Sequence, residues 1–178
     1  QTWCFYQDPG GKLWLGTVAG LAYLDTLDAR LHLAPAQKGF EALTEATVQA
    51  FVKSKKGHIW LATTNGLYAW SPEKGIIDRW WPGGTGNRYI PHENIQHVHE
   101  DKTGMLWLAT GGGGLIRLAV EQPTATARPS PSTVYQQFTI ADGLSNNNLY
   151  AVYEDARENL WISSDYGIIQ FDKNNFRA

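Results

Sequence analysis

The chain has 178 residues, 43% of them hydrophobic and 18% charged, with 15 Lys+Arg against 17 Asp+Glu and a net charge of -2. That apolar content supports a packed core and excludes a disordered chain; the even charge excludes a nucleic-acid or polybasic membrane face, which needs clustered cations. The single Cys4 excludes an internal disulfide and a Cys-based zinc site, and no apolar run approaches the ~20 residues of a membrane span.

The chain opens on Gln1 and strand-like residues, not on a charged start and an apolar run, so it reads as a segment of a longer polypeptide. Its 18 Gly, 8 Trp, 8 Tyr and 6 Phe favour short strands joined by tight turns.

In chain order, one pattern recurs four times. The first unit predicts a strand at Thr2–Gln7, a turn at Asp8-Pro-Gly-Gly11, a strand on Lys12-Leu-Trp-Leu-Gly-Thr17, a turn at Val18–Gly20 and a fourth strand at Leu31–Leu33. The second repeats this with Val48–Lys53, Ser54-Lys-Lys-Gly57, His58-Ile-Trp-Leu-Ala-Thr63, Thr64–Gly66 and Ile76–Trp81. The third has Ile95–Glu100, Asp101-Lys-Thr-Gly104, Met105-Leu-Trp-Leu-Ala-Thr110, Gly111–Gly114 and Val134–Ile140. The fourth has Leu149–Glu154, Asp155-Ala-Arg-Glu158, Asn159-Leu-Trp-Ile-Ser-Ser164 and Asp165–Gly167, and its last strand should begin near Phe176. Asp at the head of a turn accepts backbone N–H groups, and Gly at its fourth position takes unusual dihedrals. Ser54 and Glu158 depart from that rule.

The repeated Trp14, Trp60, Trp107 and Trp161 are 46, 47 and 54 residues apart, a period that fits a propeller blade. The connectors agree as well: Leu43, Ile90 and Leu144 each stand five residues before a first strand. Taken alone, residues 40–51 favour a helix, but the alignment leaves at most a helical turn before Thr47. The predicted fold is all-β: four-stranded antiparallel meanders at about 2–34, 48–81, 95–140 and 149–178. A lone meander cannot bury both faces, so the units stack as blades, with each Trp between neighbours.

The motif Asp-x-x-Gly-x-Leu-Trp-[Leu/Ile]-[Gly/Ala]-Thr-x-x-Gly-Leu, nearly complete from Asp8 to Leu21 and again from Asp101 to Leu115, resembles the two-component regulator propeller repeat. Asp142-Gly-Leu-Ser-Asn-Asn-Asn-Leu149 is similar to that family's inter-blade connector. The resemblance implies a four-blade part of a propeller of about seven blades, in the extracytoplasmic, periplasmic sensor region of a membrane-anchored receptor with a histidine kinase or other signalling output. It implies the other blades of a parent chain as partners, no cofactor and no membrane contact by this segment, and it names no ligand.

Parity places the second-to-third turns and the connectors 35–47, 82–94 and 141–148 at one end of the sheets. Loops on a rigid scaffold often carry binding, so this end is the expected recognition face for a small molecule or oligosaccharide. Trp81, Arg88, Tyr89, His92 and Asn94 are its candidate ligand residues, because aromatic rings stack on sugars while Arg and Asn bond hydroxyls. Asp8, Asp101, Asp155 and the four repeat tryptophans are expected to be structural. Thr17, Thr63, Thr110 and Ser164 are expected to close their own turns, and Asn94 and Asn148 to bond local backbone.

Gly111–Gly114 precedes a strand rather than a helix with Lys-Ser/Thr, so it reads as a hairpin and not a phosphate loop. His97 and His99 fall at packing positions, which argues against a metal site with His92 and Glu93. The sialidase box, Ser-x-Asp-x-Gly-x-Thr-Trp, is not matched, and no catalytic triad or carboxylate pair can be placed. The Pro/Thr/Ala/Ser-rich stretch 121–132 reads as a solvated excursion. Two further readings stand beside the sensor: a lyase- or hydrolase-type propeller, as in the streptogramin lyases, with His92 or Glu93 as base, and a protein-interaction propeller. Open blade faces at the two ends are expected to favour self-association.

Overall fold

A computed structural model describes residues 1–25, 30–34, 43–120 and 135–177. They form four separate four-stranded antiparallel sheets, each an up-and-down meander in chain order. Blade 1 holds β1 (Thr2–Gln7), β2 (Leu13–Thr17), β3 (Gly20–Asp25) and β4 (Arg30–Leu33). Blade 2 holds β5 (Val48–Lys53), β6 (Ile59–Thr63), β7 (Gly66–Ser71) and β8 (Gly75–Trp80). Blade 3 holds β9 (Ile95–Glu100), β10 (Leu106–Thr110), β11 (Leu115–Leu118) and β12 (Tyr135–Phe138). Blade 4 holds β13 (Leu149–Glu154), β14 (Leu160–Ser164), β15 (Gly167–Phe171) and β16 (Phe176–Arg177). The excursion 121–132 lies outside the described residues, as does most of the first connector. No helix among the described residues is long and apolar enough to cross a membrane.

The second strands show why the pattern reads so clearly. Ile59–Thr63 and Leu106–Thr110 are buried at every position, because each is an inner strand of a blade covered on both sides. Three clusters fill the boundaries between blades. Trp14 meets Trp70 of blade 2 edge-on, with ring centroids 4.8 Å apart. Trp60 and Trp80 pack with Val98, Leu108 and Ile116 of blade 3. Trp107 packs with Leu149, Val152 and Phe171 of blade 4. Each indole therefore faces the blade that follows it.

Trp161 departs from the expectation that every repeat Trp lies between blades. It is 41% exposed, on a face with exposed Tyr153 and Ile168 and no following sheet among the described residues. The opposite end of the array is open too: Trp3 and Phe5 of β1 are exposed, Phe5 by 75%.

The Asp turns act as clasps. Trp14 Nε1 donates to Asp8 Oδ2 at 3.0 Å, Trp107 Nε1 to Asp101 Oδ2 at 3.0 Å and Trp161 Nε1 to Asp155 Oδ2 at 2.9 Å. The other carboxylate oxygen takes backbone N–H groups of the turn, from Lys12, Met105 and Asn159. One side chain thus closes a turn and orients an indole. At the fourth turn position Gly104 has φ 84°, and Glu158 is held at φ 67° in the corresponding place, a conformation that disfavours a side chain. The boundary between blades 3 and 4 also carries charge: Lys173 Nζ lies 2.7 Å from Glu154 Oε1 and 3.7 Å from Asp101 Oδ2.

Candidate ligand-recognition face

The hydrogen bonds place the second-to-third turns beside the connectors, as strand parity requires. Thr64 N donates to Thr47 O, Gly111 N to Asn94 O, and Gly112 N and Gly114 N both to Asn147 O. The repeated hydroxyls close their own turns: Thr17 bonds Gly20 O, Thr63 Gly66 O, Thr110 Gly114 O and Ser164 Gly167 O. They are structural elements of this face, not a free ring of hydroxyls.

The first strand of each blade packs against the first strand of the next, so β1, β5, β9 and β13 line the inside of the arc. All four slip register at the same place. The ladder jumps between Thr2 and Cys4, Val48 and Ala50, Ile95 and His97, and Leu149 and Ala151. Trp3, Gln49, Gln96 and Tyr150 are the residues left out of the pairing. A bulge of this kind bends the strand and re-aims its side chain. Four equivalent residues, left out of the backbone ladder, therefore stand where the innermost strands meet the recognition face.

Their surroundings are polar and bare. Gln49 Nε2 donates to Asn94 Oδ1 at 2.8 Å and to Ile95 O at 3.3 Å, bridging blades 2 and 3. A Cβ on Gly111 would meet the amides of Asn94 and Gln96, so glycine there lets both approach the backbone. In blade 4 Tyr150 Oη donates to Asp165 Oδ1 and Asn148 Nδ2 to Asp165 Oδ2, the latter at 2.8 Å. Those donors hold the Asp165 carboxyl below its ordinary pKa, and Asp165 in turn pushes the Tyr150 phenol up. The side chains of Asn94 and Asn148 thus bond other side chains, those of Gln49 and of Tyr150 and Asp165, and not the local backbone that their position in a connector suggests.

The five sequence-derived ligand candidates fall in two places. His92 and Asn94 sit at the recognition face: His92 Nδ1 accepts Asn94 N–H at 3.3 Å, and its ring lies against Gly113. Trp81, Arg88 and Tyr89 belong to a connector folded back on blade 2, where Trp81 bridges Tyr89. Arg79 lies over the Trp81 ring at 4.9 Å, Tyr89 packs on Tyr135, and Arg88 Nε donates to Asp78 Oδ1 at 2.6 Å. Trp80, read as a strand end, is buried, and its Nε1 donates to Asn87 O. Sequence reasoning missed Gln49, Gln96, Tyr150 and Asp165. The available signal was their shared place, one residue into each first strand or inside a turn.

His97 and His99 point into the boundary of blades 3 and 4. Val152 N donates to His97 Nδ1 at 3.5 Å, and His99 Nε2 lies 3.5 Å from Glu154 Oε2. Burial lowers the His97 pKa, as does the neighbouring His99. These are packing contacts.

Four sheets of this topology, stacked through their faces, define a β-propeller array. Residues 143–166, which run from the third connector through the Trp161 strand, match the family model described as two component regulator propeller. The chain is similar to the extracellular domain of a protein from B. thetaiotaomicron described as a hybrid two component system, with TM-score 0.73 and 19% identity over 98% of this chain and 22% of that one. A second B. thetaiotaomicron extracellular domain, described as from a one component system, aligns with TM-score 0.65 and 18% identity over 94% of this chain and 21% of that one. Streptogramin B lyase aligns with TM-score 0.61 and 15% identity over 99% of this chain and 53% of that one. This chain therefore spans about a fifth of the length of those two B. thetaiotaomicron domains. No curated protein matches it by sequence.

Proposed function

We propose that the chain is a non-catalytic, extracytoplasmic recognition segment of a two-component signalling receptor, on the periplasmic side, and that it binds a hydroxyl-rich small molecule or oligosaccharide at the inner mouth of the arc. The observation that carries this reading is the set of four bulges at Trp3, Gln49, Gln96 and Tyr150. Two exposed aromatic rings and two amides at one repeated position suit stacking on sugar faces and bonding to hydroxyls. The likeness to extracellular domains of two component systems supports the receptor context.

The test is calorimetric titration of the folded chain, and of any longer protein that contains it, with a broad oligosaccharide panel. Binding that Gln49→Ala or Tyr150→Phe weakens would support the site. A silent panel, or binding indifferent to both substitutions, would reject direct glycan recognition there. The likeness to streptogramin B lyase favours a second reading, a lyase with His92 or Glu93 as base. Turnover lost in His92→Ala or Glu93→Gln would establish it.

A further inference from the structure

At the end of the blades away from the recognition face, a cavity of about 160 Å³ lies in the boundary between blades 2 and 3. Its walls include Ser54, His58, Trp60, Asp78, Trp80 and Glu100, and exposed Lys56 and Ile77 stand at its edge. This is the boundary where the repeat lacks its turn carboxylate, because Ser54 stands where the other blades have Asp8, Asp101 and Asp155. Serine is too short to reach the indole. Glu100 of blade 3 replaces the missing acid from across the boundary, with Oε2 accepting Trp60 Nε1 at 3.0 Å and Lys55 N at 3.3 Å. Space remains on the Ser54 wall.

What lines that space is chemically one-sided. Glu100 Oε1 takes no hydrogen bond among the described residues. Asp78 Oδ1 accepts Arg88 Nε and Arg79 N, and its Oδ2 is likewise open. His58 Nε2 is buried with no hydrogen-bond partner among the described residues. Burial lowers the His58 pKa against the opposing pull of Glu100, so the ring is neutral and able to accept. Asp78 is already ion-paired with Arg88, so Glu100 is the wall carboxylate that has no ion pair among the described residues. The rest is aromatic: Trp60 and Trp80 meet edge-on with centroids 5.5 Å apart. A buried orphan acceptor, open carboxylate oxygens and indole surface together define a complement for a cation with an apolar body. At about 30 Å³ per water, the volume holds about five waters or a ligand of that size.

We propose that this cavity binds a small organic ammonium ion, its N–H groups directed to Glu100, Asp78 and His58 and its alkyl part against the Trp60 and Trp80 indoles. The site lies at the opposite end of the blades from the bulges at Gln49 and Gln96, so its failure would leave the recognition reading standing, and the reverse.

The experiment titrates the folded chain with tert-butylammonium, its neutral isostere tert-butanol and the polyol glycerol, reading the indole N–H resonances of Trp60 and Trp80. Saturable shifts with tert-butylammonium and none with the other two are expected. Glu100→Gln, which keeps an acceptor for Trp60, should weaken binding about tenfold or more. Asp78→Asn is read the same way if Glu100→Gln loses the fold. An equal response to tert-butanol, a preference for glycerol, binding unchanged in the folded variants, or no saturable shift at all would each overturn the proposal.

Discussion

Trp60 Nε1 donates to Glu100 Oε2 at 3.0 Å, across a blade boundary, whereas Trp107 Nε1 donates at the same distance to Asp101 in its own turn. One indole ties its blade to the next by a hydrogen bond; the other does so by packing alone. The difference traces to one substitution in the repeat, Ser54 for Asp.

Glu100→Ala should leave a buried indole N–H unpaired and destabilise the chain by about 1–3 kcal/mol. In the Ser54→Asp background, where a local carboxylate is available, the same change should cost less. Urea unfolding of the four proteins forms a double-mutant cycle. Equal costs in both backgrounds would show that an Asp at position 54 does not take over the Trp60 bond.

Trp107→Ala should cost about 3–5 kcal/mol, the loss expected for a large buried aromatic. Trp161→Ala should cost at most about 1–2 kcal/mol, because Trp161 is 41% exposed against 1% for Trp107. Denaturation midpoints of the two variants compare them directly. Similar losses would mean that the Trp161 face is covered in solution.

These energetic differences also mark what the sequence could convey. The recurring Asp, Gly and Trp are legible because one geometry demands all three: the carboxylate closes the turn, a left-handed residue completes it, and the indole is clasped. The strands follow from the same register. The inner-strand bulges are not legible, because Gln49 and Tyr150 differ in chemistry and share only a place in the ladder. Nor is the split of the 81–94 stretch, since Arg88 is drawn to Asp78 by a tertiary ion pair. Ser54 was visible as a departure, but its compensation by Glu100 lies 46 residues away in another blade.

Stability should fall with acid through Asp101. Burial raises its pKa, but donors from Thr103, Trp107 and Met105 outweigh this and hold it at about 2, against 3.8 for a free carboxyl. A depressed folded pKa gives stability that is fully present above the unfolded value and lost as pH falls through the folded one. The melting temperature should therefore drop between about pH 4 and pH 2. Asp101→Asn should start lower and show a shallower drop; an unchanged slope would remove Asp101 as the cause.

The exposed apolar faces at Phe5 and Trp161 should make the isolated chain associate as its concentration rises. Sedimentation velocity across a concentration series measures this. Phe5→Lys or Trp161→Lys should restore the monomer, and a wild-type chain that stays monomeric throughout would contradict the expectation.

Because Trp14, Trp60 and Trp107 each lean toward the blade after them, the array has a direction. Its leading and trailing surfaces are unlike, so further repeats continue the array head to tail. Head-to-tail addition with a constant rotation either closes into a ring or continues as an open helix. The angle between successive blades, fixed by how deeply each tryptophan sits in its neighbour, selects between those outcomes.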